Sequence, residues 1–313
     1  MRAAVLEQAG APLVVFDDIE IEDPRAGEVL VRVKHCGVCK SDVSIVDGTF
    51  PSALPVILGH EAAGVVEALG PGVTSLAVGD HVVLTPAAPC GTCDWCVRGQ
   101  WSLCVNVDGM LTSTHLDGGT RLSRNGEIVY RGVAVAAFAE QVIVPANGAV
   151  KIPDDVPLDV ACVVGCAVQT GVGAALNTAD IVEGDTVLVT GAGGIGLSIV
   201  QGARIAGAGT IIVSDPDAER RASALKLGAT HAIDPTADDI NQAVHDLSLH
   251  GMGADVAFEA VGKSALISAC IDATRKGGTT VIVGVPGLED PFTYAVPALL
   301  ALTEKKIIDA RSS

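Results

Sequence analysis

Four of the nine cysteines in this sequence stand as Cys90-x2-Cys93-x2-Cys96-x7-Cys104. Four thiolates in so short a stretch suit one tetrahedral Zn2+. Such a site is structural, because four protein ligands leave no vacancy for a substrate. Disulfides, an iron–sulfur cluster or unrelated reactive thiols are the alternatives. The odd cysteine total argues against complete pairing, and the loop bearing Trp95 and Trp101 lacks the usual cluster spacing. A second concentration of chemistry is Gly191-Ala192-Gly193-Gly194-Ile195-Gly196, which fits G-x-G-x-x-G. Gly191 permits a tight turn, Gly193 lets the backbone approach a pyrophosphate, and Gly196 lets a helix pack on a strand. The helix N-terminus then offers unpaired N–H donors to the anion. Asp215 follows about 20 residues later, where a carboxylate can accept the ribose hydroxyls of NAD and repel the 2′-phosphate of NADP. Arg220, close by, softens that preference.

Both features need elements to hold them. Val187–Thr190 reads as a strand before the glycines and Leu197–Ala206 as an apolar helix after them. Beyond Pro157 this rhythm repeats. Strands are expected at Thr186–Thr190, Thr210–Ser214, Thr230–Ile233, Asp255–Glu259 and Thr279–Val283, with helices such as Asp217–Leu227 and Asp239–Leu247 between them. Alternating strands and helices with buried apolar strands imply a doubly wound parallel sheet. The first ~150 residues are β-rich instead. Gly27–Val33, Gly64–Leu69 and Asp80–Leu84 alternate apolar and polar residues and end at turn residues such as Gly70-Pro71-Gly72. The segment Pro153–Pro157 reads as the connection, with a boundary near 155–165.

The chain has 313 residues, a net charge of −17, 49% apolar and 18% charged residues. That is too apolar for disorder, and the charge repels phosphate backbones and anionic membranes, so no nucleic-acid partner is expected. Val160–Ala179 and Thr186–Ala203 carry no charge and are long enough to span a bilayer. Gln169, Asn177 and three glycines in the first, and the glycine run in the second, favour buried parallel strands over spanning helices. No signal peptide is visible, so the cysteines are expected to stay reduced in a cytoplasmic protein.

Five stretches follow one another in a specific order: Cys36-Gly37-Val38-Cys39-Lys40-Ser41-Asp42, Gly59-His60-Glu61-Ala62-Ala63-Gly64, the four-cysteine loop, Gly165-Cys166 and the glycine turn. In this the chain resembles the zinc-dependent medium-chain alcohol dehydrogenases over nearly its whole length. The resemblance implies an α/β fold: a β-rich, GroES-like, zinc-bearing catalytic domain over residues 1–160, then a Rossmann NAD-binding domain over 161–313. It also implies two Zn2+ per chain. Cys39, His60 and Cys166 would hold the catalytic ion with Glu61 nearby, and Cys90, Cys93, Cys96 and Cys104 the structural one. Two thiolates and an imidazole leave a fourth position open to water or substrate. Asp42 would orient His60, Ser41 would take the alcohol proton, and Lys40 would contact the cofactor pyrophosphate. Thr170 and Val283 match positions near the nicotinamide, Ile195 would pack beneath the cofactor, and Phe50 and Leu103 match positions lining an apolar substrate pocket. Cys162 and Cys270 are read as core residues, and His115 as bordering the cleft.

The implied reaction is reversible oxidation of a small alcohol to an aldehyde or ketone, with the zinc polarising the substrate oxygen and hydride passing to NAD. Two departures from the family pattern stand out. Ser44 occupies the place of a histidine that in many members carries the relay proton to solvent. The pattern also stops soon after Glu304–Ile308, where family members continue, so the return segment is expected to be missing and the sixth strand incomplete or terminal. The alternative reading is a truncated paralogue that binds zinc and possibly NAD without turnover. Family members are dimers or tetramers, so a homo-oligomer is expected if the sixth strand forms.

Overall fold

The computed structural model describes residues 1–107, 111–287, 289–294 and 297–310. The chain divides into two compact units, Met1–Cys166 and Ala167–Ser313. The division leaves Cys162 and Cys166 with the first unit.

Twelve strands of the first unit are described: β1 (Ala3–Leu6), β2 (Val14–Phe16), β3 (Glu20–Ile21), β4 (Glu28–Gly37), β5 (Val56–Ile57), β6 (Glu61–Leu69), β7 (His81–Leu84), β8 (Leu122–Arg124), β9 (Glu127–Ile128), β10 (Tyr130–Arg131), β11 (Gln141–Pro145) and β12 (Ala149–Lys151). The main sheet runs β11-β4-β6-β7-β12, antiparallel throughout. Alternation puts Val29, Val31, Ala62, Val66, Val82, Leu84, Val142 and Val144 into one buried cluster. This is the one-faced burial expected of an antiparallel sheet. Smaller sheets, β10-β5-β1-β2 and β3-β8-β9, pack around other clusters. The short helices are α1 (Lys40–Val46), α2 (Asp94–Val97) and α3 (Leu158–Ala161).

β4 and β6 outrun the expected Gly27–Val33 and Gly64–Leu69. Their pairing continues to Gly37 opposite Glu61, past irregularities between Leu30 and Val31 and between Val33 and His35. Such bulges hide the simple alternation in the sequence. The extension matters, because Cys39 and His60 lie just beyond its ends.

In the second unit the helices are α4 (Ala167–Gly173), α5 (Gly194–Ile205), α6 (Ala218–Leu227), α7 (Ile240–Leu247), α8 (Ser264–Ala273) and α9 (Pro297–Thr303). The strands are β13 (Thr186–Thr190), β14 (Thr210–Ser214), β15 (His231–Ile233), β16 (Ala254–Glu259), β17 (Thr274–Ile282) and β18 (Lys306–Asp309). They form one six-stranded parallel sheet, β15-β14-β13-β16-β17-β18. Every residue of β13 is buried, as befits a central parallel strand. The sixth strand does form, and it lies at the sheet edge against β17.

Asp217 and Asp239 prove to be N-caps rather than first helical residues. Asp217 accepts the N–H of Glu219 and Arg220, and Asp239 that of Gln242. β17 begins five residues earlier than expected because Gly277, at φ +70°, is accommodated within the strand. One expectation is overturned. The uncharged stretch Val160–Ala179 is helical, not a buried strand: α3, a 3-10 turn over Cys162–Gly165, then α4 running into a π-helical turn over Ala174–Thr178. It is apolar because α4 packs tightly on α5. A Cβ on Gly171 would lie 2.6 Å from the Ile195 carbonyl oxygen, and one on Gly202 would lie 2.7 Å from Ala175 Cβ. Among the described residues no single helix is long and apolar enough to cross a membrane, although the bent pair 158–165 and 167–178 passes that test jointly.

A buried ion pair anchors the loop before β8. Arg121 donates to Glu28 at 2.7 and 3.2 Å and to Asp117 at 2.8 and 3.1 Å. His115 lines a small pocket with Thr85, Asn106 and Arg131. It is buried with Nδ1 3.5 Å from Glu28, and burial, reinforced by the Arg131 and Arg121 charges, pushes its pKa down to about 3. Truncating one partner of a buried pair strands the other. Arg121→Met should therefore lower unfolding stability in urea by about 3 kcal/mol. A loss below about 1 kcal/mol would show that Glu28 is satisfied without it.

Candidate functional site

Three neighbouring strands bring the first constellation together. Cys39 follows β4 and caps α1, and His60 immediately precedes β6. Cys166 follows the 3-10 turn that lies against β7. There Gly165 is required, since a Cβ would lie 1.9 Å from the Leu84 carbonyl oxygen. The ligand atoms of Cys39, His60 and Cys166 lie within 4.8 Å of one another, with the two sulfurs 3.9 Å apart.

Asp42 ties this group to the backbone. Its carboxylate, 1% exposed, accepts the N–H of Cys39 at 3.0 Å and of Gly59 at 2.9 Å, and the His60 Nδ1 at 3.2 Å. A carboxylate offers only lone pairs, so the proton belongs on Nδ1 and Nε2 is left for a ligand bond. Ser41 Oγ stands 3.3 Å from Nε2. Burial works against charge on His60, but the Asp42 hydrogen bond and the neighbouring Cys39 outweigh it and lift the pKa to about 9. The hydrogen bond from Cys166 holds Cys39 down at about 3, against its burial, while Cys166 is pushed up by the same contact and by burial. The trio thus favours thiolate, imidazolium and thiol, and a metal entering it would displace protons. Two thiolates and one imidazole are the donor set that suits Zn2+ with a position to spare.

The second constellation is local. Cys90, Cys93, Cys96 and Cys104 also place one sulfur each within 4.8 Å of the others. Cys90 Sγ accepts N–H bonds from Thr92 at 3.5 Å and Cys93 at 3.3 Å, which draw its pKa down to about 6. Cys104 Sγ accepts from Cys90 at 3.1 Å and Asn106 at 3.4 Å. Backbone donors aimed at sulfur are what a cluster of thiolates needs.

In the second unit the glycine turn follows β13. Gly191 is at φ +90°, Gly193 is the N-cap of α5, and a Cβ on Gly196 would lie 1.8 Å from the Gly191 carbonyl oxygen. A Cβ on Gly193 would meet open space, so the unpaired N–H groups of the first turn face room for an anion. α5 starts at Gly194, three residues before the expected Leu197, and Gly194, Ile195 and Gly196 form its first turn. Asp215, 3% exposed at the end of β14, accepts the N–H of Ala192 and of Asp217, each at 2.8 Å.

Comparison with known proteins follows this division. Residues 25–154 match the alcohol dehydrogenase GroES-like domain family and residues 194–312 the zinc-binding dehydrogenase family. S-(hydroxymethyl)glutathione dehydrogenase of Synechocystis sp. is 40% identical over 291 residues, covering 91% of this chain and 78% of that protein. The alcohol dehydrogenase zinc-binding domain protein from Burkholderia ambifaria superposes with a TM-score of 0.93 at 40% identity, covering 99% of this chain and 84% of that one. For benzyl alcohol dehydrogenase from Acinetobacter calcoaceticus the TM-score is 0.92 at 33% identity, with the same coverage. The chain belongs to the zinc-binding medium-chain alcohol dehydrogenase family.

Membership gives this dehydrogenase an oxidoreductase activity of the alcohol-dehydrogenase type, and its two clusters and parallel sheet fit two Zn2+ ions and NAD. Not every expected residue joins a constellation. Glu61 is buried at the start of β6 and stands outside the three-residue cluster, although its charge helps raise the Cys166 pKa. Lys40 is exposed, with Nζ 3.8 Å from Asp47. Arg220 Nη1 lies 4.0 Å from Asp215, while Arg221, which the sequence did not single out, donates to the Asp215 carbonyl at 2.7 Å. Ile195 and Val283 pack on the main core cluster of this unit, and Thr170 is half-buried on α4. Cys162 and Cys270 are buried core residues. Elemental analysis should find about two zinc ions per chain, and Cys93→Ser should remove one of them. One ion or none in the unaltered protein would contradict the paired clusters.

Proposed function

We propose that this dehydrogenase interconverts a small apolar alcohol and its aldehyde or ketone with NAD, using the Cys39–His60–Cys166 cluster for a catalytic zinc and the four-cysteine loop for a structural one. The observation that carries this reading is the convergence of three ligand atoms from separate segments within 4.8 Å. Three protein ligands leave a coordination position open, and four close it. Bound at the first site, Zn2+ supplies a Lewis acid for the substrate oxygen, and the dinucleotide carries the hydride.

The remaining roles belong to the chain. Asp42 holds His60 in the tautomer that presents Nε2, and Glu61 lies near enough to influence the ligand charges. Ser41 Oγ, 3.3 Å from that nitrogen, accepts the substrate proton. With Ser44 buried on α1, the onward route runs through water or another group. Lys40, exposed and paired with the solvent-facing Asp47, is available to the pyrophosphate. Gly191, Gly193, Gly194 and Gly196 shape the turn for it, Ile195 packs beneath the cofactor, and Thr170 and Val283 flank the nicotinamide. Asp215 receives the ribose hydroxyls on the lone pairs its two backbone bonds leave, with Arg220 beside it. Phe50, packed among Leu6, Ile45, Val56 and Leu58, and Leu103 favour an apolar substrate. We further read the protein as a cytoplasmic homo-oligomer, since the nine cysteines suit metal ligation and core packing rather than disulfides and β18 presents a sheet edge.

Cys166→Ala should abolish turnover of alcohols with NAD while NADH binding, followed by fluorescence, persists; undiminished turnover would refute its role as a ligand. Asp215→Ala should raise the NADP-to-NAD ratio of kcat/KM, and an unchanged ratio would count against its contact with the ribose.

A further inference from the structure

The glycine turn and Asp215 belong to the strands β13 and β14. In a doubly wound sheet of this order, the strands on the other side of β13 form the second mononucleotide half. There the last residue of β16, Glu259, is 0% exposed. An ionised carboxylate in such a place must be compensated, and Glu259 is compensated by backbone. Its Oε1 accepts the N–H groups of Val261 at 3.0 Å, Gly262 at 2.9 Å and Lys263 at 3.4 Å, and Oε2 accepts that of Gly262 at 3.1 Å. Three consecutive N–H groups can converge on one acceptor only if the chain bends sharply. Gly262 provides the bend at φ +81°.

The same residue grips a second loop. Its carbonyl oxygen accepts the N–H of Val283 at 2.8 Å and of Gly284 at 2.9 Å. The two loops are pressed together over the carboxylate: a Cβ on Gly284 would lie 2.1 Å from Gly262 N and 2.8 Å from Glu259 Oε2, and one on Gly262 would lie 2.4 Å from the Val285 carbonyl oxygen. Val261 in turn covers Gly191, where a Cβ would meet its Cγ2 at 2.5 Å. The buried side chain thus shapes the loop after β16, and the backbone carbonyl of the same residue ties the loop after β17 beside it, at the edge of the sheet where such folds bind ligands.

We propose that Glu259 is a positioning residue for the nicotinamide half of the cofactor, its carboxylate holding loop 261–263, and through it the abutting loop 283–285, in the shape that receives that half; this rests on the NAD reading above. The adenosine half depends on the Asp215 side of the sheet and is indifferent to Glu259. NADH contains both halves and AMP only the adenosine half, so the two ligands separate a local role from a general loss of structure.

The experiment measures binding of NADH by fluorescence and of AMP by calorimetry to the zinc-loaded full chain and its variants. Glu259→Ala should weaken NADH by about tenfold, the scale of leaving a buried donor unpaired, and leave AMP within about threefold. Glu259→Gln keeps an acceptor at Oε1 and should restore most of the NADH affinity. Equal weakening of both ligands, no weakening of either, or a Gln variant as poor as the Ala variant would overturn the inference. If Glu259→Ala does not fold, Glu259→Asp, which withdraws the carboxylate by one methylene, gives the same comparison. Selective loss of NADH then supports the inference and parallel loss overturns it. An unaltered protein that binds neither ligand would overturn the NAD reading itself.

Discussion

The first unit depends on the buried carboxylate of Asp42. A charge removed from water must be met by donors, and here the donors are the backbone at Cys39, the backbone at Gly59 and the ring of His60. Those three groups come from the far ends of β4 and β6. Satisfying Asp42 therefore registers the two strand ends against each other and fixes which ring nitrogen of His60 is free. Gly165 adds the third segment by letting backbone approach backbone beside Leu84. The metal centre is thus a product of strand register and one electrostatic requirement, and its ligands come from chain segments more than a hundred residues apart.

The second unit solves a similar problem with glycine. Where a helix must start hard against a strand, Gly196 removes the side chain that would collide with the Gly191 carbonyl. Where donors must stay accessible, Gly193 leaves space in front of them. Asp215 and Glu259 then use buried carboxylates to gather loop N–H groups on either side of β13. In both units an acid that looks like a reactive group in the sequence acts first as a scaffold for backbone.

The features legible in the sequence are those with short range. The cysteine spacing of 90–104, the glycine turn and the strand–helix alternation of the second unit each express a local geometric demand, and each has its counterpart in the structure. The dispersed trio was visible only through the order of its motifs, because nothing in residues 36–42 by themselves reports the approach of His60 or Cys166. The errors have physical causes. Val160–Ala179 lacks charge because small residues let α4 and α5 pack closely, and composition does not separate such a helix from a buried strand. The buried network of His115, Arg121 and Glu28 was not read at all, since no periodicity announces it. Glu259 was read only as a strand end, since its partners are backbone groups that any residue type could supply.

One consequence follows from where the first unit ends. All seven residues of the two metal clusters fall between Cys39 and Cys166, within the unit Met1–Cys166. As the polypeptide emerges from the ribosome, every sulfur and the imidazole are available before the parallel sheet has been synthesised. All the side chains of both clusters thus lie in the part of the polypeptide made first.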